Sequence, residues 1–447
     1  MSDKPVASNA ARPDALPALT GLRFLAALSV LIGHAFDDLV KFSGSQPLWS
    51  TSLSKLSGIG MPLFFVLSGF VIHYNYHQSI VTAPACGTFN FIVARFARLY
   101  PLYIFVLLLD LFRYNFFENA YIPSVSQQLF LALPSYLMLI QTWHYEIIGD
   151  HSLVFTFPAM TTITWSVSTE WFFYLLYPFA CVALARLRRP RPIMLAIAGL
   201  VIAGYASVCW AATNLDAINA FGVDHYGDIA RSGGADGFSF WLMYLSPFPH
   251  LFDFALGSLT AALFIALSQR PVSGRENWLG RWGLAFAIGS ILIVFVLLFF
   301  LPARLPGQHA QAVLQMYFGF TPFIALLLFC CTRYPSRVSA TLSRPWIVLG
   351  GEISYSIYML HIGVVQFVQQ FNIFANVATP PYTGWNMAHA VVTVIIVTAI
   401  VLSVSLLSYN MIEVPARRYL RRWLSLRLTR VVPATRDTVI QPLPIRD

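Results

Sequence analysis

Leu22-Arg23-Phe24-Leu25-Ala26-Ala27-Leu28-Ser29-Val30-Leu31-Ile32-Gly33-His34 is an apolar run with a cation near its start and an imidazole at its end. On an α-helix the eleven residues from Arg23 to His34 make about three turns, which places both side chains on one face about 16 Å apart along the axis. An arginine at the centre of a bilayer costs roughly 2.5–3.5 kcal/mol, so it marks either a polar cavity or a side chain that snorkels back to the headgroups. The run predicts a first membrane span over about 18–36 that carries polar groups at both ends.

The rest of the chain has the same character. Of 447 residues, 57% are hydrophobic and 11% charged, against about 45–50% and about 25% in soluble domains. Apolar runs of about 20 residues recur from residue 18 to residue 412, which is what a bilayer core requires of each helix. The polar start, residues 1–17, lacks a basic n-region, and the first span is expected to stay as an anchor. The net charge of +9 sits in Arg186 to Arg191, around Arg270, Arg275 and Arg281, around Arg333, Arg337 and Arg344, and from Arg417 to Arg430. These are short segments beside spans. They fit the excess of basic residues that fixes orientation, and no nucleic-acid partner is expected. The five cysteines, Cys86, Cys181, Cys209, Cys330 and Cys331, show no paired spacing, so neither disulfides nor a metal site is expected.

With the N-terminus inside, spans at about 18–36, 57–76 and 99–117 place Arg95 and Arg98 in a cytoplasmic segment before the third. The run Gln128 to Ile140 is short and interrupted by Pro134, and is expected to be re-entrant or peripheral, because a full span there would put Arg186 to Arg191 outside. Further spans follow at about 163–184, 193–213, 239–267, 283–302, 312–331, 346–371 and 387–412. The fold class is therefore all-α: a polytopic integral membrane protein of about ten transmembrane helices plus one short re-entrant or peripheral segment. Its expected divisions are 1–17, cytoplasmic; 18–416, membrane-embedded; and 417–447, a basic cytoplasmic tail.

Several polar residues fall inside these apolar runs. In Trp165-Ser166-Val167-Ser168-Thr169-Glu170-Trp171-Phe172-Phe173-Tyr174, Glu170 is an acid about two turns into a span. It is expected at the depth of His34, either to hold that imidazole's tautomer or simply to pair with a neighbouring helix. In Arg95-Phe96-Ala97-Arg98 two guanidinium groups lie three residues apart, suited to phosphate recognition or to anionic-lipid contact. Tyr355, Tyr358 and His361 follow helical spacing and form either a cavity wall or aromatic packing. His250, Asp253 and Gly257 are similarly placed in another span, and Glu413 closes the last span beside its arginines, where a structural ion pair is expected.

Taken together and in order, these motifs resemble the acyltransferase-3 family of integral membrane acyltransferases, which includes the O-acetylases of bacterial surface polysaccharides. The resemblance covers about residues 17–416 and rests on Arg23 to His34, Phe64-Phe65-Val66-Leu67-Ser68-Gly69-Phe70, Arg95 to Pro101, Trp165 to Pro178, Asp253-Phe254 to Gly257, Ser354 to His361 and Glu413-Val414-Pro415. Val167 and Asp253 depart mildly from the family pattern. With about thirty residues after Pro415, the chain looks like the stand-alone type.

The resemblance implies a bacterial inner-membrane enzyme, and the basic segments between spans place both expected termini in the cytoplasm. Its donor would be an acyl-CoA, acetyl-CoA by family habit, acting as a substrate and not as a bound cofactor. Its acceptor would be a carbohydrate or lipid-linked glycan hydroxyl, reached from among membrane lipids. It implies a catalytic role for His34, to which the residues add Glu170 and Arg23, and donor-phosphate contacts for Arg95 and Arg98. Trp165, Ser166, Ser168, Tyr174, Tyr358 and His361 are candidates for the cavity wall or for oxyanion stabilisation. A glycan or lipid transporter is the competing class, since it too would carry buried charges in about ten spans.

Overall fold

The computed structural model of the chain describes residues 16–39, 53–117, 123–157, 159–231, 234–268, 270–300, 309–370, 385–420 and 422. Among these residues, 9 helices are long and apolar enough to cross a membrane, and a bent pair makes up to 10. A helix satisfies its backbone hydrogen bonds internally, which is why uninterrupted apolar runs adopt it in lipid. In chain order the main helices are α1 (Pro17–Leu39), α2 (Ser57–Thr82), α3 (Pro84–Phe117), α4 (Pro123–Leu137), α5 (Trp165–Leu184), α6 (Pro190–Thr213) and α7 (Leu215–Tyr226). They are followed by α8 (Pro247–Ser268), α9 (Gly274–Phe299), α10 (Ala310–Met316), α11 (Thr321–Arg333), α12 (Pro345–Glu352), α13 (Ser354–Gln370) and α14 (Trp385–Ser408). The expected architecture of about ten spans is present.

Three local differences bear on the site. Arg95 and Arg98 are not in a separate segment ahead of the third span but in the first half of the same helix, α3, which is 34 residues long and begins at Pro84. No glycine or proline between Thr88 and Tyr100 interrupts helical backbone geometry, and a helix of that length reaches about 50 Å, well beyond the hydrocarbon core. The expected continuous span over 346–371 is instead α12 and α13, bent by 66° at Ile353. Gly350 and Gly351, poor helix formers, immediately precede the break, and Gly351 presses against the Thr20 carbonyl of α1. The short run near Pro134 forms α4, 15 residues long, which is about 22 Å and short of a full crossing. The segments 1–15, 421 and 423–447, holding most of the expected terminal regions, lie outside the described residues.

The tightest packing is between α2 and α8. A Cβ on Gly69 would lie 2.0 Å from the Phe254 carbonyl oxygen, and one on Gly257 would lie 2.0 Å from that of Val66. Only glycine allows two backbones to approach so closely, a recurrent device where helices meet in lipid. Ser258 Oγ donates to the Gly69 carbonyl at 3.2 Å across the same contact. On its other side α2 packs on α1, which also meets α12 and α13. The site is built around this centre, whereas Phe179, Leu195 and Ile202 point outward as an apolar coat.

A small hairpin lies between α4 and α5 in the chain. Ile147–Ile148 pairs antiparallel with His151–Ser152, and Asp236 Oδ1 accepts from the Ser152 backbone N–H and Oγ, both at 2.7 Å. Tyr145 donates its phenol to the Asp236 carbonyl at 2.5 Å. Burial, with Asp236 nearby, pushes that phenol up to about 12, so it remains a donor at physiological pH.

Candidate active site

Two cavities lie end to end along α1. The first is lined by Arg23 of α1, Arg98 of α3 and Glu170 of α5, together with Ser68 of α2 and Ser354 of α13. Arg23 and Arg98 make no hydrogen bond or ion pair with a side chain or carbonyl among the described residues, so their donors face the cavity. Glu170 is fixed through one oxygen: Ser68 Oγ donates to Oε1 at 2.8 Å and the Tyr174 phenol donates to the same atom. The other oxygen, Oε2, has no hydrogen-bond partner among the described residues. Two cations and one half-satisfied carboxylate in a pocket whose remaining wall is apolar and hydroxyl side chains make a site for an anion that also offers a donor.

Arg95 is not part of this wall. Its Nη2 donates to the Tyr76 hydroxyl at 2.8 Å, its guanidinium carbon lies 4.9 Å from the Tyr76 ring centroid and 5.8 Å from that of Tyr174, and its Nε is buried without a partner. The expected Arg95–Arg98 pair is thus divided. Three helical residues leave the two side chains about 60° apart on neighbouring parts of one face, and there Arg98 turns to the cavity while Arg95 packs between Tyr76 and Tyr174. The two cations that do share the cavity are Arg23 and Arg98.

The second cavity is lined by His34 and Val30 of α1, by Trp165, by Tyr244 and by Tyr358. His34 Nδ1 lies 3.0 Å from His361 Nε2, with the rings stacked at 5.1 Å between centroids. His361 Nδ1 in turn lies 2.6 Å from the Tyr358 carbonyl oxygen, which can only accept. With both rings neutral this fixes the tautomers. His361 carries its proton on Nδ1 and accepts at Nε2, so His34 donates from Nδ1 and keeps a lone pair on Nε2. That nitrogen has no hydrogen-bond partner among the described residues.

The expected contact between Glu170 and His34 is therefore not made: His361 occupies that place, and Glu170 lines the other cavity. Depth in the membrane does not determine which way a side chain points around its helix. Ser168, expected near the chemistry, lies away from both cavities, at 2.8 Å from the Leu139 carbonyl and from Thr142 Oγ1, where it braces the turn at Leu139 with φ 59°. Ser166 Oγ donates to the Tyr358 hydroxyl at 2.7 Å, and Tyr358 donates to the Ile163 carbonyl at 2.8 Å. The hydroxyls of Ser166, Ser168, Tyr174 and Tyr358 are thus already committed. Of the oxyanion candidates, the Trp165 indole N–H is not bonded to a protein acceptor among the described residues.

His250 and Asp253 form a buried pair at 2.9 Å, with the second His250 nitrogen 2.8 Å from the Tyr244 carbonyl. The His250 ring packs behind Trp165, 5.7 Å between centroids, and so supports the cavity wall without lining it. Glu413 accepts from Ser356 and lies 3.5 Å from Arg417, the structural role expected for it. Sequence reasoning assigned no role to Ser68 or Met61. Ser68 was within a quoted motif, and a serine among apolar residues facing a span's acid was its only signal.

Comparison with known proteins gives one family match: residues 16–408 match the family model described as an acyltransferase domain. The chain is 24% identical over 412 residues to the O-acetyltransferase OatA of Staphylococcus aureus strain NCTC 8325 / PS 47, covering 91% of this chain and 58% of that protein. It is 30% identical over 167 residues to the acyltransferase MdmB of Streptomyces mycarofaciens, 36% of this chain and 38% of that one. Over 97 residues it is 37% identical to protein 2 in the picA locus of Rhizobium radiobacter, covering 22% of this chain and 44% of that one. The aligned segments thus span less than two thirds of each relative. No solved structure matches the chain.

Proposed function

Because this chain belongs to the acyltransferase-3 family of integral membrane acyltransferases, we propose that it moves an acyl group from cytoplasmic acyl-CoA to a hydroxyl of a surface or lipid-linked glycan. The acyl group is acetyl, as the name of its relative, the O-acetyltransferase OatA, supports. The membrane is the bacterial plasma membrane, with both termini on the cytoplasmic side, an orientation supported by the basic segments between spans.

The observation that carries this proposal is the pair of cavities: unpaired arginines line one, a histidine with a free ring nitrogen lines the other, and the two meet. Arg98 and Arg23 attract the donor's phosphates, a contact for which guanidinium forks are suited. The thioester then lies where the cavities join. His34 Nε2 takes the proton of the acceptor hydroxyl as its oxygen bonds to the thioester carbon. The carbon–sulfur bond then breaks, and the proton passes to the departing thiolate. His361 keeps His34 in the basic tautomer and accepts from Nδ1–H throughout, the part a carboxylate plays in a hydrolase triad. The Trp165 indole N–H, which lines the same cavity as His34, meets the oxyanion.

The direct test supplies membranes containing the protein with radiolabelled acetyl-CoA and follows label into envelope glycans and lipids. Transfer that depends on the protein and is lost in His34→Ala is expected. Equal labelling with and without the protein would refute the proposal.

A further inference from the structure

The two cavities share Met61 and Tyr358 as lining residues. These two side chains form the partition between the arginine side and the histidine side, and they differ in mobility. Tyr358 is held at its hydroxyl by Ser166 and the Ile163 carbonyl, and its ring packs edge-on against Phe64 at 5.9 Å between centroids. Met61, on α2, makes no hydrogen bond and is buried among apolar neighbours. Its unbranched thioether chain has three rotatable bonds and adapts its shape to what lies beside it.

On the proposed function, the acyl group is the end of the donor farthest from the phosphates, and it is the part that meets this partition. Each methylene beyond the carbonyl must pass Met61 into the space the acceptor also needs. We propose that Met61 is the residue that sets the acyl-chain length this enzyme accepts, with Tyr358 as the fixed opposite wall. A Met61→Ala change removes three heavy atoms from the partition, room for two or three methylenes. A Met61→Phe change fills the gap with a rigid ring. A hydrophobic pocket discriminates by about tenfold or more per methylene, so room for even one more shifts the length preference by at least about that factor.

The test uses the purified full chain in detergent with three unreactive probes, S-ethyl-, S-butyl- and S-hexyl-coenzyme A, and measures the affinity of each. The wild-type protein is expected to prefer the S-ethyl probe. Met61→Ala lowers that preference over S-hexyl at least about tenfold, Met61→Phe raises it, and Met61→Leu, of similar volume, leaves it unchanged. Thermal denaturation checks that each variant is folded. If Met61→Ala is not, Met61→Val and Met61→Phe must still move the profile in opposite directions. The same profile in all folded variants overturns the selector while leaving the donor assignment intact. Failure of the wild-type protein to bind any of the three overturns the donor assignment, and the selector with it.

Discussion

A buried imidazole can act as a base only if one ring nitrogen keeps its lone pair, and at His34 the contact from His361 decides which one does. His34→Ala is expected to lower acyl transfer by about 10² to 10⁴-fold, the range for loss of a general base, with thermal stability nearly intact. His361→Ala removes only the partner that orients it. Transfer should fall about 10 to 100-fold in kcat while KM for the donor stays near wild type, as steady-state kinetics will show; a change confined to KM would place His361 in donor binding instead. The arginines should separate differently. Arg98→Ala and Arg23→Ala each weaken binding of S-ethyl-coenzyme A by about tenfold or more, as expected for losing a charge-assisted contact. Arg95→Ala chiefly lowers the denaturation temperature, because it leaves Tyr76 and Tyr174 without the cation between them. The sequence made the polar residues themselves legible, since Arg23, Arg98, Glu170, His34 and His361 stand out against apolar neighbours. Their partners were not legible. The choice of His361 over Glu170 beside His34 depends on how helices rotate about their axes, and that is fixed by packing many residues away.

Among the elements, the crossing of α2 and α8 is where side-chain volume matters most. Gly69→Ala and Gly257→Ala each drive a Cβ into a carbonyl oxygen, and overpacking of this kind costs about 1–3 kcal/mol or more. Both should lower the denaturation temperature in detergent by several degrees. Gly289→Ala in α9 is the matched control: a Cβ there meets nothing within 4 Å, and alanine is the better helix former, so stability should hold or rise. The spans were readable because twenty apolar residues in a row have few alternatives in lipid. The ends of α3 and the break between α12 and α13 were less so. A helix that continues beyond the bilayer loses its apolar signature, and a pair of glycines is as compatible with a straight crossing helix as with a bend.

For the molecule as a whole, the proposed orientation puts the α7 region outside and the loop before α9 inside. In a variant lacking the five native cysteines, Asp224→Cys should react with an impermeant maleimide from outside intact cells, and Arg275→Cys only after permeabilisation. Labelling of Arg275→Cys in intact cells would reverse the orientation and with it the side from which the donor enters. The bend at Ile353 also redistributes charge across the assembly. A helix carries roughly half a positive elementary charge at its first turn, where backbone N–H groups lack partners. Had residues 345–370 run as one helix, that end would lie at Pro345, about 13 Å away from Ser354. Breaking the helix starts a new one at Ser354, which lines the same cavity as Arg23 and Arg98. The break therefore sets the negative end of α12 and the positive end of α13 next to each other beside the pocket, a fixed dipolar field that no side-chain substitution removes and no change of pH discharges.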